Sequence, residues 1–109
     1  MQANEGKVPL DITPSHSIVA EFADFSVRLD LRSSSMLHLE IIEGDNKGFK
    51  DDVAYELHWL RQDVAVLSWR ETIGTTVTHV IDLAASRTYA TVTPAKGGFL
   101  RLEGRLVQV

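Results

Sequence analysis

Val66-Leu67-Ser68-Trp69-Arg70-Glu71-Thr72-Ile73-Gly74-Thr75-Thr76-Val77-Thr78-His79-Val80-Ile81-Asp82-Leu83 carries the strongest structural signal in this chain. Two alternating apolar segments flank a short turn bearing Gly74, which is the pattern of a β-hairpin. An acid, Glu71, stands just before the turn, and His79 stands in the middle of the returning strand.

Working outward, Gln62-Asp63 fits a two-residue turn into the first of these strands. In the segment before it, Val53, Leu57 and Leu60 would share a helical face, while Val53, Tyr55, Leu57 and Trp59 would share a strand face. A tight turn leading straight into a clear strand at Val64 favours the strand. Further upstream, Ile18–Phe22, Phe25–Leu31 and Met36–Ile41 read as strands, the second with apolar groups on every odd position. Glu43–Asp52 is the longest polar stretch and holds two glycines, as a solvated connection or a lid at a barrel mouth would. Downstream, strands are expected at 75–83, 87–93 and 98–108, joined by Ala84-Ala85-Ser86 and Pro94-Ala95-Lys96-Gly97.

About eight short strands with hairpin-length links predict an all-β fold, an up-and-down antiparallel β-barrel, because closure removes the exposed sheet edges. Residues 1–16 hold two of the three prolines and little periodic hydrophobicity, so a flexible N-terminal segment is expected there, a mobile tail or a strap. Residues 17–109 form the single barrel domain.

Composition narrows the function. At 109 residues, 44% hydrophobic and 24% charged, the chain has the balance of one globular domain. A net charge of −4 with scattered Lys and Arg excludes the clustered basic surface that nucleic acid requires. No cysteine is present, so thiolate nucleophiles and thiolate metal sites are excluded. The start shows no basic region followed by an apolar one, and no apolar run approaches the roughly 20 residues of a membrane helix. A cytoplasmic protein with no membrane contact is therefore expected. His16, His38, His58 and His79 do not fall in metal-ligand spacing, so no metal and no cofactor is expected.

Which side chains enter the barrel depends on register. A Gln62-Asp63 turn sets Trp59 against Val66, and a turn centred on Ile73-Gly74 sets Ser68 against His79. A turn at Ala85-Ser86 then sets His79 against Val92. The more apolar face, expected inside, carries Tyr55, Leu57, Trp59, Val66, Ser68, Val77, His79, Ile81, Ala90 and Val92. Ser68 and His79 would then be polar groups in an apolar lumen, costing about 1–3 kcal/mol each unless they find partners. Trp69 would lie outside beside Leu67, Leu60 and Val80, an apolar patch suited to a homodimer interface.

Ser68-Trp69-Arg70-Glu71 followed by Gly74-Thr75, the strand ending Ile81-Asp82-Leu83 and the closing Leu102-Glu103-Gly104-Arg105-Leu106 resemble the calycin-like MoaF family. The likeness covers about residues 53–107. It implies a small lipocalin-like barrel and, through the family's name alone, an association with molybdenum cofactor metabolism. The Ser-Trp-x-Glu-x-x-Gly-Thr-x-Val pattern is also similar to a stretch of bacterial phenolic acid decarboxylases, whose motif acid belongs to the active site. That similarity implies Glu71 as a catalytic or ligand-facing acid, with Thr75, Val77 and Val92 lining the pocket. It departs from those enzymes in two places: Ile18–Phe22 has no tyrosine pair, and Phe49-Lys50 follow Gly48 where an arginine belongs.

The expectation is a barrel that binds a small, partly apolar organic molecule in its lumen, with Tyr55, Trp59, Ser68, Glu71, Thr75, Val77, His79 and Val92 around it. The alternative is a small lyase or isomerase using Glu71 as acid or base and His79 as its partner.

Overall fold

The computed structural model describes residues 10–109. Eight strands follow one another: β1 Ser17–Glu21, β2 Ser26–Leu31, β3 Met36–Glu43, β4 Lys50–Arg61, β5 Val64–Arg70, β6 Thr76–Asp82, β7 Arg87–Thr93 and β8 Leu100–Gln108. Each pairs antiparallel with the next, and β1 pairs with β8 from Ile18↔Gln108 to Glu21↔Arg105, closing an up-and-down barrel. The segment that could also have been helical is the longest strand, β4. No helix among the described residues is long and apolar enough to cross a membrane.

Alternation builds the core. Leu29 and Leu31 of β2, Leu37 and Leu39 of β3, Ala65 and Leu67 of β5 and Ile81 of β6 are completely or almost completely buried. Each large aliphatic side chain so placed contributes about 1.5–3 kcal/mol relative to leaving it in water. Of the segment expected as a tail or strap, residues 10–16 pack as a strap, and residues 1–9 lie outside the described residues. Ile12 joins the core, the Asp11 backbone N–H donates to Gln108 Oε1 at 2.6 Å, and the Ser15 N–H donates to the Leu31 carbonyl at 2.7 Å. The strap covers the end where β1 begins and β8 finishes. Close by, the Tyr55 hydroxyl donates to the Ser33 carbonyl at 2.6 Å.

Seam closure between β1 and β8 needs Gly104. A Cβ there would lie 2.7 Å from both the Glu21 carbonyl oxygen and the Phe22 ring. Only a bare α-carbon lets Phe22 fold over β8.

Register corrects the expected faces. Gln62-Asp63 is the turn, with Arg61 opposite Val64, but a bulge at Leu60 then sets Trp59 against Ala65 and Leu57 against Leu67. The β5–β6 loop is one residue longer than a two-residue turn. Thr72-Ile73-Gly74 form it, so Leu67, not Ser68, pairs with His79, and Trp69 pairs with Val77. Glu71 N–H donates to the Thr75 carbonyl and Gly74 N–H to the Glu71 carbonyl, both at 2.8 Å, with Gly74 at φ +99°. This is a three-residue hairpin loop ending in a left-handed glycine. The two single-residue differences bracket β5 and invert that strand alone. Val66 and Ser68 face outward, while Leu67 and Trp69 face inward. Trp69 is 7% exposed, so the outer Trp69 patch expected as a dimer interface is not formed. Between β6 and β7 the turn is longer than expected and His79 pairs with Ala90, not Val92, but the inward face is unchanged.

Candidate functional site

At the end opposite the strap the barrel stays open. A cavity of about 570 Å3 reaches in from the β1–β2, β3–β4, β5–β6 and β7–β8 connections. Its walls are mostly apolar, with Phe22, Phe25, Leu39, Trp69, Val77 and Leu102 prominent among them. Glu71, Thr75 and His79 bring polar atoms to it, and Asp24, Asp45, Asn46 and Lys47 stand around its mouth.

Trp69 organises the polar part. Its indole N–H donates to Glu71 Oε2 at 3.1 Å, and its ring stacks on the His79 imidazole with centroids 5.4 Å apart and planes at 23°. Phe22 flanks the same imidazole at 6.1 Å. His79 is 2% exposed and has no charged partner among the described residues, and burial pushes its pKa down from 6.5 to about 4. It is neutral across the physiological range. The neutral ring carries one proton, on Nδ1 or on Nε2. Thr88 Oγ1 lies 2.8 Å from His79 Nδ1 and 3.3 Å from the Val80 carbonyl oxygen. A carbonyl can only accept, so two proton arrangements satisfy these contacts: Nδ1–H donating to Thr88 while Thr88 donates to Val80, or Thr88 donating to Nδ1 with the ring proton on Nε2. In either arrangement Nε2 has no protein partner among the described residues.

Glu71 is the first residue beyond β5 and keeps that strand's inward parity. It is half-buried. Burial pushes its carboxyl above the ordinary range, the Trp69 N–H pulls it back, and the negative charge of Asp51 adds to the upward push. Asp51 also holds the hairpin tip, accepting the Thr72 N–H at 2.8 Å and the Thr72 hydroxyl at 2.9 Å. On the far side Thr75 Oγ1 accepts the Ala95 N–H at 3.3 Å, tying the β5–β6 and β7–β8 loops together. The polar β3–β4 connection, read as a solvated link or a lid, borders the cavity mouth. Its base is pinned where the Ile41 N–H donates to the Phe49 carbonyl at 2.8 Å and the Gly48 N–H to the Ile41 carbonyl at 2.9 Å.

Of the residues expected around a ligand, Glu71, Thr75, Val77, His79 and Val92 line this cavity. Tyr55, Trp59 and Ser68 do not. Tyr55 is buried towards the strap end, held by its bond to Ser33. Trp59 is 47% exposed near the β4–β5 turn, and Ser68 lies on the outer face opposite Glu56 and Thr78. Glu71 reaches the cavity without the bulge that the expected register demanded. Strand alternation carries it inside together with Trp69, so an inward Glu71 was itself the available signal for Trp69. Phe22, Phe25 and Lys47 come from connections, and nothing in their spacing marks them. Among the described residues no group of three or more His, Asp or Glu is placed to hold a metal ion.

A sequence model of the family described as MoaF-like matches residues 14–107. No curated protein matches the chain. Among solved structures, the crystal structure of a Burkholderia vietnamiensis protein provisionally assigned as a beta-lactamase superposes with a TM-score of 0.85 at 23% identity. The match covers 88% of this chain and 94% of that one. At that identity the likeness is one of fold.

Proposed function

The chain belongs to the MoaF-like family, and on that premise and the geometry of the open end we propose that it binds a small, partly apolar organic molecule in the barrel lumen. One observation carries the reading. A cavity of about 570 Å3, within the range of small-molecule sites, has mostly apolar walls and a buried imidazole whose Nε2 has no protein partner among the described residues. A buried polar nitrogen without a partner is costly, as donor or as acceptor, unless something fills the place. The test is uptake of Nile red, a neutral apolar dye, read by its emission shift and by quenching of Trp69. Wild-type chain takes up the dye. Ala90→Phe, which projects a ring from β7 into the lumen, loses uptake, and Ala90→Leu weakens it. Absence of uptake, or equal uptake by all three proteins, overturns the reading.

A second reading is supported by Glu71 and His79 sharing one cavity. Glu71, its proton affinity raised by burial, acts as acid or base on a carbonyl or phenolic substrate, with His79 as partner. On this reading Glu71→Gln lowers turnover by about 100-fold or more, measured on any compound that binds and is converted. Equal turnover by the variant rules it out.

A further inference from the structure

We propose that the lumen selects ligands whose polar end is a protonated amine or amidine on an apolar body, and discriminates against carboxylates and phosphates. The inference rests on the lumen-binding reading above and names the ligand chemistry of that same site.

The charged group inside the cavity is the Glu71 carboxyl, with the Thr75 hydroxyl and the His79 imidazole as its neutral polar neighbours. His79 Nε2 has no protein partner among the described residues and is an acceptor in the tautomer that carries its proton on Nδ1. Glu71 accepts from Trp69 through Oε2, which leaves Oε1 without a partner among the described residues. The Trp69 N–H is already committed to Glu71. An anion entering this lumen meets the Glu71 carboxylate, and it leaves behind the water that solvated it. A cation with N–H groups meets the complementary arrangement, since a carboxylate–ammonium contact is among the stronger hydrogen bonds a protein makes.

The mouth repeats the bias. Asp24 and Asp45 stand there with a single cation, Lys47, which is exposed on the β3–β4 connection. Counting Glu71, three acids face one base around the cavity. Asp24, Asp45 and Lys47 are all exposed and screened by water and salt, so the selectivity rests on Glu71, half-buried against Trp69. Phe22, Trp69 and Phe25 supply faces over which an ammonium group also passes favourably.

Three compounds of one carbon skeleton test the proposal by titration calorimetry at pH 7.5: 2-phenylethylamine, 2-phenylethanol and phenylacetate. The amine binds about tenfold or more tighter than phenylacetate, with the alcohol between them. Glu71→Gln removes most of the amine's advantage, His79→Leu reduces it, and Lys47→Ala widens it. Phenylacetate binding as tightly as the amine overturns the proposal, and so does an amine-to-acid ratio unchanged in Glu71→Gln. If Nile red still enters the wild-type lumen in either case, lumen binding stands and only the selectivity falls. If neither the dye nor any of the three compounds binds, both fall together.

Discussion

Where β1 begins and β8 finishes, Ile12 and Tyr55 fill the barrel and the strap covers it; where β5 passes into β6, Trp69, Glu71 and His79 border an open lumen. The strands at both ends alternate in the same way. What differs is what fills the inward positions and what comes over the top. At the strap end aliphatic side chains meet across the barrel. That end also carries an open surface groove between the strap, β1, β2 and the end of β8, lined by Asp11, His16, Arg28 and Gln108. At the open end four connections stand around the mouth and polar atoms remain beneath them. Inward positions near the strap thus contribute stability, while those near the mouth hold chemistry that costs stability.

The largest test of that contrast compares two truncations. Ile81 is fully buried in β6 towards the strap end, and Val92 is half-buried in the wall of the lumen. Ile81→Ala should cost about 2–5 kcal/mol, because removing the side chain leaves a closed cavity. Val92→Ala should cost about 1 kcal/mol or less, because it enlarges a space that is already open. Urea unfolding measures both. Equal costs would mean that the lumen is as tightly packed as the plugged end.

Next in size is the linkage through His79. Unfolded, its imidazole titrates near 6.5; folded, burial holds it at about 4. Between those values the unfolded chain takes up a proton that the folded chain does not, so acid favours unfolding. The His79 contribution is complete above about pH 6.5 and is lost as the pH falls towards 4, amounting to on the order of 3 kcal/mol. Glu71 works in the opposite direction, since its raised carboxyl favours the folded state as the pH falls through its range. Asp11, Asp30 and Asp51 have lowered carboxyls and act below about 3.8, beneath the His79 window. His79→Leu should flatten the dependence between pH 4 and 6.5 in denaturant titrations. An unchanged slope would mean that the imidazole is wet.

Gly104→Ala should follow at about 1–3 kcal/mol, the usual range for overpacking. The added methyl meets the Glu21 carbonyl, which cannot swing aside, and the Phe22 ring, which can. Displaced, Phe22 moves towards His79 and narrows the lumen, so Nile red uptake should weaken along with stability. Lost stability with uptake intact would separate the seam from the site.

The sequence showed the container more completely than the arrangement inside it. Alternation in Phe25–Leu31 and in the hairpin is a local signal, and eight such runs with short links leave little choice but a closed meander. Facing is a different matter, because a single residue reverses it. The bulge at Leu60 and the extra residue in Thr72-Ile73-Gly74 are each of that size, and they fall on either side of β5. Their effects cancel across the pair, which is why Tyr55 on β4 and His79 on β6 were placed on the correct face while Ser68 and Trp69 were exchanged. Ser68 looked like a pocket residue for that reason alone. Gly74 did hold the information needed: a glycine at the third loop position suits the three-residue hairpin with a left-handed end. Nothing comparable marks the Leu60 bulge.

The smallest expected effect asks whether the mouth tunes the lumen. Asp51 at the start of β4 accepts both Thr72 donors, and its charge also adds to the upward push on Glu71. Asp51→Asn keeps a carbonyl oxygen for one Thr72 donor and removes the charge. Being largely exposed and only partly undone, the Thr72 contact should cost less than about 1 kcal/mol. The Glu71 carboxyl should then lose its proton at lower pH than in the wild type. Trp69 reports this directly, because its N–H is bonded to that carboxyl, and a Trp59→Phe background removes the second indole. A fluorescence titration midpoint that falls with the loss of Asp51 establishes that a loop anchor outside the cavity sets the proton affinity within it. An unmoved midpoint would leave burial and the Trp69 bond as sufficient causes, and the anchor would then hold the hairpin tip without acting on the carboxyl.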